Sequence, residues 1–237
     1  DTYSLNDSLK GFECIWDASG IDTINASSSS KSATIDLRNA TLKNELGGGG
    51  FVSSINGELK GYTIAYNSTG DCIIENAKGS NFNDTITGND YANEIFGLGG
   101  DDEIYARGGT DIIYGGDGND VISGSFFGNI SNEIDLLFGG AGSDVFVLGD
   151  NSGAMYSNNL SNDFANIKDF DILSDNLKLN NSFSYLTSIT TQNDVNGLGI
   201  FTDNNSSGNI DSNDELIAIL SNQKSYISID KISTQLV

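Results

Sequence analysis

From Gly79 to Val147 an acid or its amide returns on a nine-residue beat: Asp84, Asn93, Asp102, Asp111 and Asp120, then Asp135 after six inserted residues, then Asp144. In register the units are GSNFNDTIT (79–87), GNDYANEIF (88–96), GLGGDDEIY (97–105), ARGGTDIIY (106–114), GGDGNDVIS (115–123) and GGAGSDVFV (139–147). Each approximates GGxGxDxUx, with U large and apolar. The eighth places hold Ile86, Ile95, Ile104, Ile113, Ile122, Leu137 and Phe146. A unit with one side chain to bury cannot enclose a core alone, so the units must stack. The xUx piece is long enough for a short strand whose middle side chain points inward. The GGxGxD before it must be a turn, where glycine reaches positive φ and lets backbone carbonyls converge. The expected fold class is therefore all-β, a parallel β-roll with two units per coil.

With two units per coil, residues eighteen apart stack. One column of turns then carries Asp84, Asp102, Asp120 and Asp144, and the other Asn93, Asp111 and Asp135. Stacked carboxylates at strand spacing repel unless a cation lies between them. Carboxylates and carbonyls are the hard oxygen donors of Ca²⁺, which takes six to eight of them at about 2.3–2.6 Å. The candidate metal ligands in the repeats, by side chain or carbonyl, are Gly79, Asn81, Asp84, Gly88, Asp90, Asn93, Gly97, Leu98, Gly99, Gly100, Asp102, Gly108, Gly109, Asp111, Gly115, Gly116, Asp117, Gly118, Asp120, Asp135, Gly140, Gly142 and Asp144.

The chain's 33 acids against 11 bases give a formal charge of −22, and it has no histidine. Repulsion of that size opposes compaction until cations offset it, and it argues against nucleic acid and anionic membranes as partners. About eight Ca²⁺, from counting adjacent turns and flanking sites, would cancel most of it. The metal-free chain is expected to be largely disordered and to fold as calcium binds. No apolar run approaches the length of a membrane span, and Asp1 does not begin a signal peptide.

Three segments outside the units add a resemblance. WDASGIDTINAS (16–27), LKGYTIA (59–65) and IIENAKGSNFNDTITGN (73–89), together with the nonapeptides, resemble the C-terminal domain of serralysin-type metallopeptidases, a branch of the RTX proteins, over roughly residues 1–150. The resemblance implies an RTX β-roll within a β-sandwich, several bound calcium ions, and export through a type I secretion apparatus. It also implies metal ligands at Asp17, Asp22 and Glu75, with carbonyls from Ser19 and Gly20. The family's protease cannot lie within this chain, because its HExxHxxGxxH zinc helix needs histidine.

The chain departs from the family pattern at Asn93, at Ala106 and Arg107 in place of paired glycines, and across residues 124–134. The neutral Asn93 and the cationic Arg107 are expected to weaken the site joining the second and fourth turns, and the insertion to bulge outward. In DFANIKDF (163–170) the family's ligand position is Ala165, which leaves Asp163 or Asp169 as candidate ligands.

DNNSSGNIDSND (203–214) resembles an EF-hand or dockerin-type calcium loop. Asp203, Asn205, Ser207, Asp211 and Asp214 supply side-chain oxygens and Asn209 a carbonyl. Gly208 makes the sharp turn, and Ile210 is expected to anchor the loop inward. Its flanks, LGIFT and ELIAIL, read as strands of a hairpin; an Asx-rich turn that binds nothing is the competing reading.

Cys14 and Cys72 each precede a proposed ligand by three residues, and both a disulfide and two free thiols fit. Phe96, Tyr114 and Phe138 occupy stacked ninth places as an aromatic ladder, either a sugar-binding strip or a surface covered by capping segments.

The domain reading is an N-terminal β cap (1–77), the roll (78–150) and a C-terminal β cap (151–237), with antiparallel, sandwich-like caps. The C-terminal cap carries the 203–214 loop and ends in YISIDKISTQLV, an acidic-then-apolar tail that fits a secretion signal or a closing strand. Such a chain is expected to be a non-catalytic, calcium-folded module of a secreted, extracellular or cell-surface protein. An extracellular structural or adhesive protein and an accessory module of a secreted protease or polysaccharide-acting enzyme are the alternatives. Surface-layer proteins and polysaccharide are further candidate partners. The acids follow the beat instead of breaking it at one cleft, which argues against a catalytic pair.

Overall fold

A computed structural model of the chain describes residues 1–237 except 18, 41–50, 59, 66–71, 127–132, 157–162, 233 and 237. Two ten-stranded sheets face each other across one apolar core. In order, the first holds strands Thr2–Ser4, Thr23–Asn25, Asn76–Lys78, Glu94–Gly99, Ile112–Asp117, Ile134–Ala141, Phe164–Ile167, Glu215–Leu220, Val195–Asp203 and Ser184–Gln192. The second holds Phe12–Ile15, Gly61–Ile64, Ser53–Ile55, Ala33–Asp36, Thr85–Thr87, Glu103–Tyr105, Val121–Ser123, Val145–Val147, Asn176–Leu179 and Thr234–Leu236. Successive nonapeptide strands alternate between the sheets, so each pair of units makes one coil.

Register follows the eighteen-residue repeat. Ile86 pairs with Ile104 and Ile104 with Ile122 in the second sheet, while Ile95, Ile113 and Leu137 align in the first. All of these eighth-place side chains are fully buried, as is Phe146. A strand has a side-chain period of two, so burying the eighth place turns the seventh and ninth outward. Phe96, Tyr114 and Phe138 therefore stand in a row on the outside of the first sheet, with ring centroids 4.9 and 4.7 Å apart and planes within 5° and 16° of parallel. Sugar stacking needs open ring faces. Here the rings present those faces to one another, which removes the surface a sugar-binding strip would use.

The caps differ from the expected antiparallel sandwich, because the parallel coil runs well beyond residues 78–150. Thr2–Ser4, Thr23–Asn25 and Asn76–Lys78 are parallel neighbours, and Ala33–Asp36 pairs in parallel with Thr85–Thr87. On the N-terminal side only Ser53–Ile55 pairs antiparallel, with both of its neighbours. The coil also continues through Phe164–Ile167 and Asn176–Leu179. The physical reason is that Ile24, Ile35, Ala77, Ile167 and Leu177 fill the same inward column as the repeats, so irregular spacing does not interrupt the stack. Antiparallel pairing resumes in two nine-residue strands, Ser184–Gln192 and Val195–Asp203, and between the latter and Glu215–Leu220.

Residues 127–132 of the insertion lie outside the described residues. Of its flanks, Ser125 and Glu133 are buried and Phe126 is 38 % exposed. Cys14 is exposed, Cys72 is buried and both are free thiols, which decides against the disulfide. Among the described residues no helix is long and apolar enough to cross a membrane.

Ile113 is fully buried between Ile95 and Leu137. Ile113→Ala is expected to lower unfolding free energy by about 2–5 kcal/mol. Urea denaturation in millimolar calcium checks this; a loss below about 1 kcal/mol would show that the coil does not depend on its inward column.

Candidate metal centre

Every sixth-place carboxylate of the first column is buried and aimed along the stack. Its Oδ1 accepts the backbone N–H of the residue one coil earlier: Asp84 donates to Asp102 at 2.7 Å, Asp102 to Asp120 at 2.9 Å, and Asp120 to Asp144 at 2.9 Å. The second column repeats this, Asn93 donating to Asp111 at 2.7 Å and Asp111 to Asp135 at 2.8 Å. The other oxygen differs. Oδ2 of Asp102, Asp111, Asp120 and Asp144 is buried with no hydrogen-bond partner. A buried anionic oxygen without a partner carries a large desolvation cost, and repeating it down a stack compounds that cost.

The glycines show what those oxygens face. A Cβ added at Gly79 would lie 2.5 Å from Asp84 Oδ2 and 2.5 Å from the carbonyl of Gly97 in the next coil. Gly97 stands in the same relation to Asp102 and the Gly115 carbonyl, and Gly115 to Asp120 and the Gly139 carbonyl. Each turn is thus a cradle of carboxylate and carbonyl oxygens that stays open only because its first residue has no side chain. Hard oxygens of this kind fit a calcium ion; Oδ2 of Asp102, Asp120 and Asp144 has no donor to neutralise it, whereas Asp84 Oδ2 accepts the Ser80 N–H. Asp84, Asp102, Asp120 and Asp144 with the carbonyls of Gly97, Gly115 and Gly139 are the groups that would hold it. Its charge would supply what the hydrogen bonds do not.

Outside the column of acids runs a second ladder at the fifth places, with the opposite direction. Asp101 N–H donates to Asn83 Oδ1 at 3.0 Å, Asn119 to Asp101 at 2.8 Å, and Ser143 to Asn119 at 2.9 Å. Four second places have positive φ, Gly116 and Gly140 and also Leu98 and Arg107 at φ 84° and 86°, whereas Ser80 and Asn89 do not. For residues with a Cβ that conformation is strained. Arg107 reaches Asp90 at 3.3 Å.

The first column does not stop at Asp144. Asp144 N–H donates to Asp175 Oδ1 at 3.0 Å, and Asp175 Oδ2 accepts from Asp171 N–H at 2.8 Å. Asp175 is absent from the sequence-derived ligands, although its following Leu177 pairs with Phe146 and repeats the DxU signature. Asp169 accepts the N–H groups of Gly139 and Gly140 at 3.0 and 3.1 Å. Ala165 aligns with Asp135, and Asp163 is buried two residues before it.

The second column begins upstream. Asp22, Glu75 and Asn93 precede three paired strands in the same register. Asp22 N–H donates to Glu75 Oε2 at 2.9 Å, and Asp17 Oδ1 accepts from Ser19 N–H at 3.1 Å. Carboxylate oxygens of Asp1, Asp17 and Asp22 lie within 4.8 Å of one another, and Gly20 has φ 128° beside Asp22. Asn93 uses its amide to donate to the Glu75 carbonyl at 2.8 Å.

The 203–214 loop closes the hairpin between Val195–Asp203 and Glu215–Leu220. Its acids serve the loop's own donors: Asp203 accepts from Ser207 and Gly208 N–H at 3.0 Å each, and Asp214 from Asn204 and Asp211 at 3.1 and 2.9 Å. Asn205 donates to Asp211 at 2.9 Å, and the Asn209 carbonyl accepts from Ser207 at 2.7 Å. Ile210 corrects the sequence expectation. It is 40 % exposed, at the rim of an open cleft that Tyr185, Leu186 and Tyr226 also line.

Without a cation, burial pushes the Asp102 carboxyl up to about 8, Asp144 to about 7 and Asp120 to about 6. Burial likewise raises Asp111, where the Asp135 charge adds to it, and Asp135, where Glu133 adds. Burial with Glu133 and Asp135 nearby raises Asp163 to about 8.

Residues 78–113, 99–129 and 131–152 match the family described as HemolysinCabind, the RTX calcium-binding nonapeptide repeat in four copies. These repeats bind calcium ions, the ion the cradles fit. No curated protein matches the chain. Among solved structures, the AlgE6R3 subunit from the Azotobacter vinelandii mannuronan C5-epimerase aligns with 66 % of this chain and 78 % of its own, at 20 % identity and a TM-score of 0.24. A score that low supports no argument.

Two outcomes test the cradles. Gly115→Ala would place a methyl against Asp120 Oδ2 and the Gly139 carbonyl; calorimetry is expected to find at least one calcium ion fewer per chain, and an unchanged count would remove the cradle. The raised carboxyls hold protons in the folded state that the unfolded chain releases near pH 4, so their ionisation opposes folding. Calcium-free protein is therefore expected to keep its β-structure near pH 4 and lose it as pH rises through 6 to 8. Calcium affinity is expected to rise over the same interval. Circular dichroism in chelator and in calcium reads both; stability rising with pH in chelator would contradict the assignment.

Proposed function

We propose that this chain is a non-catalytic, calcium-folded module of an extracellular protein exported by type I secretion. One observation carries the reading: in three consecutive turns of the first column, those of Asp102, Asp120 and Asp144, the acid is buried, one oxygen accepts a backbone N–H, and the other has no hydrogen-bond partner and faces glycine. That is an architecture completed by cations, and millimolar extracellular calcium supplies what a low-calcium cytoplasm does not. A chain kept loose inside the cell suits export through a narrow channel. The acids are spread along the roll and aimed into turns, which supports scaffolding over chemistry. Residues 1–150 keep the serralysin-like order of motifs, which supports the same route of export. The ligand roles of Asp17, Asp22, Glu75, Asp163, Asp169 and the 203–214 loop belong to this proposal.

A second reading, a structural protein of a surface layer or filament, draws on one edge. Ser184–Gln192 ends the first sheet, is nine residues long and contains no charged residue, whereas the other three sheet edges are strands of three or four residues. A long uncharged edge is a template for pairing with another chain.

Calcium titration separates the outcomes. Far-ultraviolet circular dichroism is expected to show a cooperative gain of β-signal between micromolar and millimolar calcium, reversed by chelator. No gain would end the leading reading. Light scattering on the same samples that stays monomeric throughout would remove the assembly reading.

A further inference from the structure

We propose that in the second column the turn of Asp135 is closed by a hydrogen-bonded clasp of Tyr156 and Glu133 in place of calcium. The inference rests on the calcium reading of the repeats and distinguishes turns that the nonapeptide pattern makes equivalent.

In the first column a Cβ at Gly97 would meet two oxygens: Oδ2 of its own Asp102 and the carbonyl of Gly115 in the next coil. The matching first place before Asp135 is Gly124. A Cβ there would meet Asp135 Oδ2 and the Tyr156 hydroxyl. The phenol oxygen thus stands where the next coil's carbonyl stands elsewhere. The two oxygens differ in kind, because a carbonyl only accepts whereas a phenol brings a proton. Tyr156 spends that proton on Asp135 Oδ2 at 2.5 Å. The carboxylate oxygen that lacks a hydrogen-bond partner in Asp102, Asp111, Asp120 and Asp144 has one here.

Glu133 makes a matching replacement. In the first column the fourth-place N–H groups of Gly100 and Gly118 donate to next-coil carbonyls, those of Asp117 and Ala141, at 2.8 Å each. The fourth place of the second column is Gly109, and its N–H donates to Glu133 Oε2 at 3.0 Å. Ser125 donates to the other oxygen, Oε1, at 2.6 Å. Two side chains therefore stand where backbone carbonyls stand in the first column. Both are fixed: Glu133 and Tyr156 are each about 2 % exposed, and Tyr156 holds φ 56°, a conformation a tyrosine adopts only when its surroundings impose it. With its phenol proton already on Asp135, the turn has no open oxygen pair for a cation.

Equilibrium dialysis of full-length variants against calcium tests the clasp. Asp120→Asn is expected to lose at least one bound ion per chain and Asp135→Asn none. Loss of an ion from both overturns the clasp while leaving the calcium reading intact. Loss from neither overturns the calcium reading and the contrast with it. Should Asp135→Asn not fold, Tyr156→Phe keeps the ring and removes the proton. It is expected to keep the wild-type ion count and to need about tenfold more calcium to fold. A drop in ion count in Tyr156→Phe would make the phenol a ligand and overturn the clasp, as would an unchanged calcium midpoint.

Discussion

The structure depends on how a buried carboxylate divides its two oxygens. In each coil of the first column one oxygen accepts a backbone N–H from the coil before, at 2.7–3.0 Å, and fixes the stacking distance. In Asp102, Asp120 and Asp144 the other is stranded in the turn beside glycine. The first arrangement is a strong charge-assisted bond. The second is unfavourable until a cation arrives, because burial alone drives these carboxyls toward their neutral forms. The apolar side of each unit contributes one inward residue, so the protein has little core per coil with which to overcome stranded charge. Calcium is therefore part of what makes the coil a favourable structure at all.

Much of this was legible in the sequence. The nine-residue beat gives the parallel strands, the inward column from Ile86 to Phe146 and the two columns of acids, because strand periodicity and glycine turns are local properties. Ala165 falls opposite Asp135, where motif alignment puts it. The caps were less legible. Residues 1–77 read as antiparallel bursts, yet most of their strands join the parallel stack, since pairing direction depends on long connections that carry no periodic mark. Asp175 escaped notice because it follows Asp144 by 31 residues and breaks the beat while keeping the DxU signature. Glu133 and Tyr156 could not be found by pattern. Each is a single residue doing a backbone's task, and only three-dimensional placement reveals it.

The two columns also differ in surroundings. Beside the first column, fifth-place Asn83, Asp101 and Asn119 accept backbone donors from the following coil. The second column has Ala92, Thr110 and Ile134 in the corresponding places. It also has Asn93, whose amide bonds a carbonyl directly. A roll with equivalent units in its sequence is thus unequal across its width, with stranded oxygens at Asp102, Asp120 and Asp144 on one flank and at Asp111 on the other.

The amide-to-carboxylate chain through Asp84, Asp102, Asp120, Asp144 and Asp175 has a direction, and every donor looks toward the C-terminus for its acceptor. Asp175, lying outside the repeats, terminates the series and lets the last repeat finish. Along this ladder each loop of the spiral is completed by the loop after it, while the fifth-place ladder ties each loop to the one before.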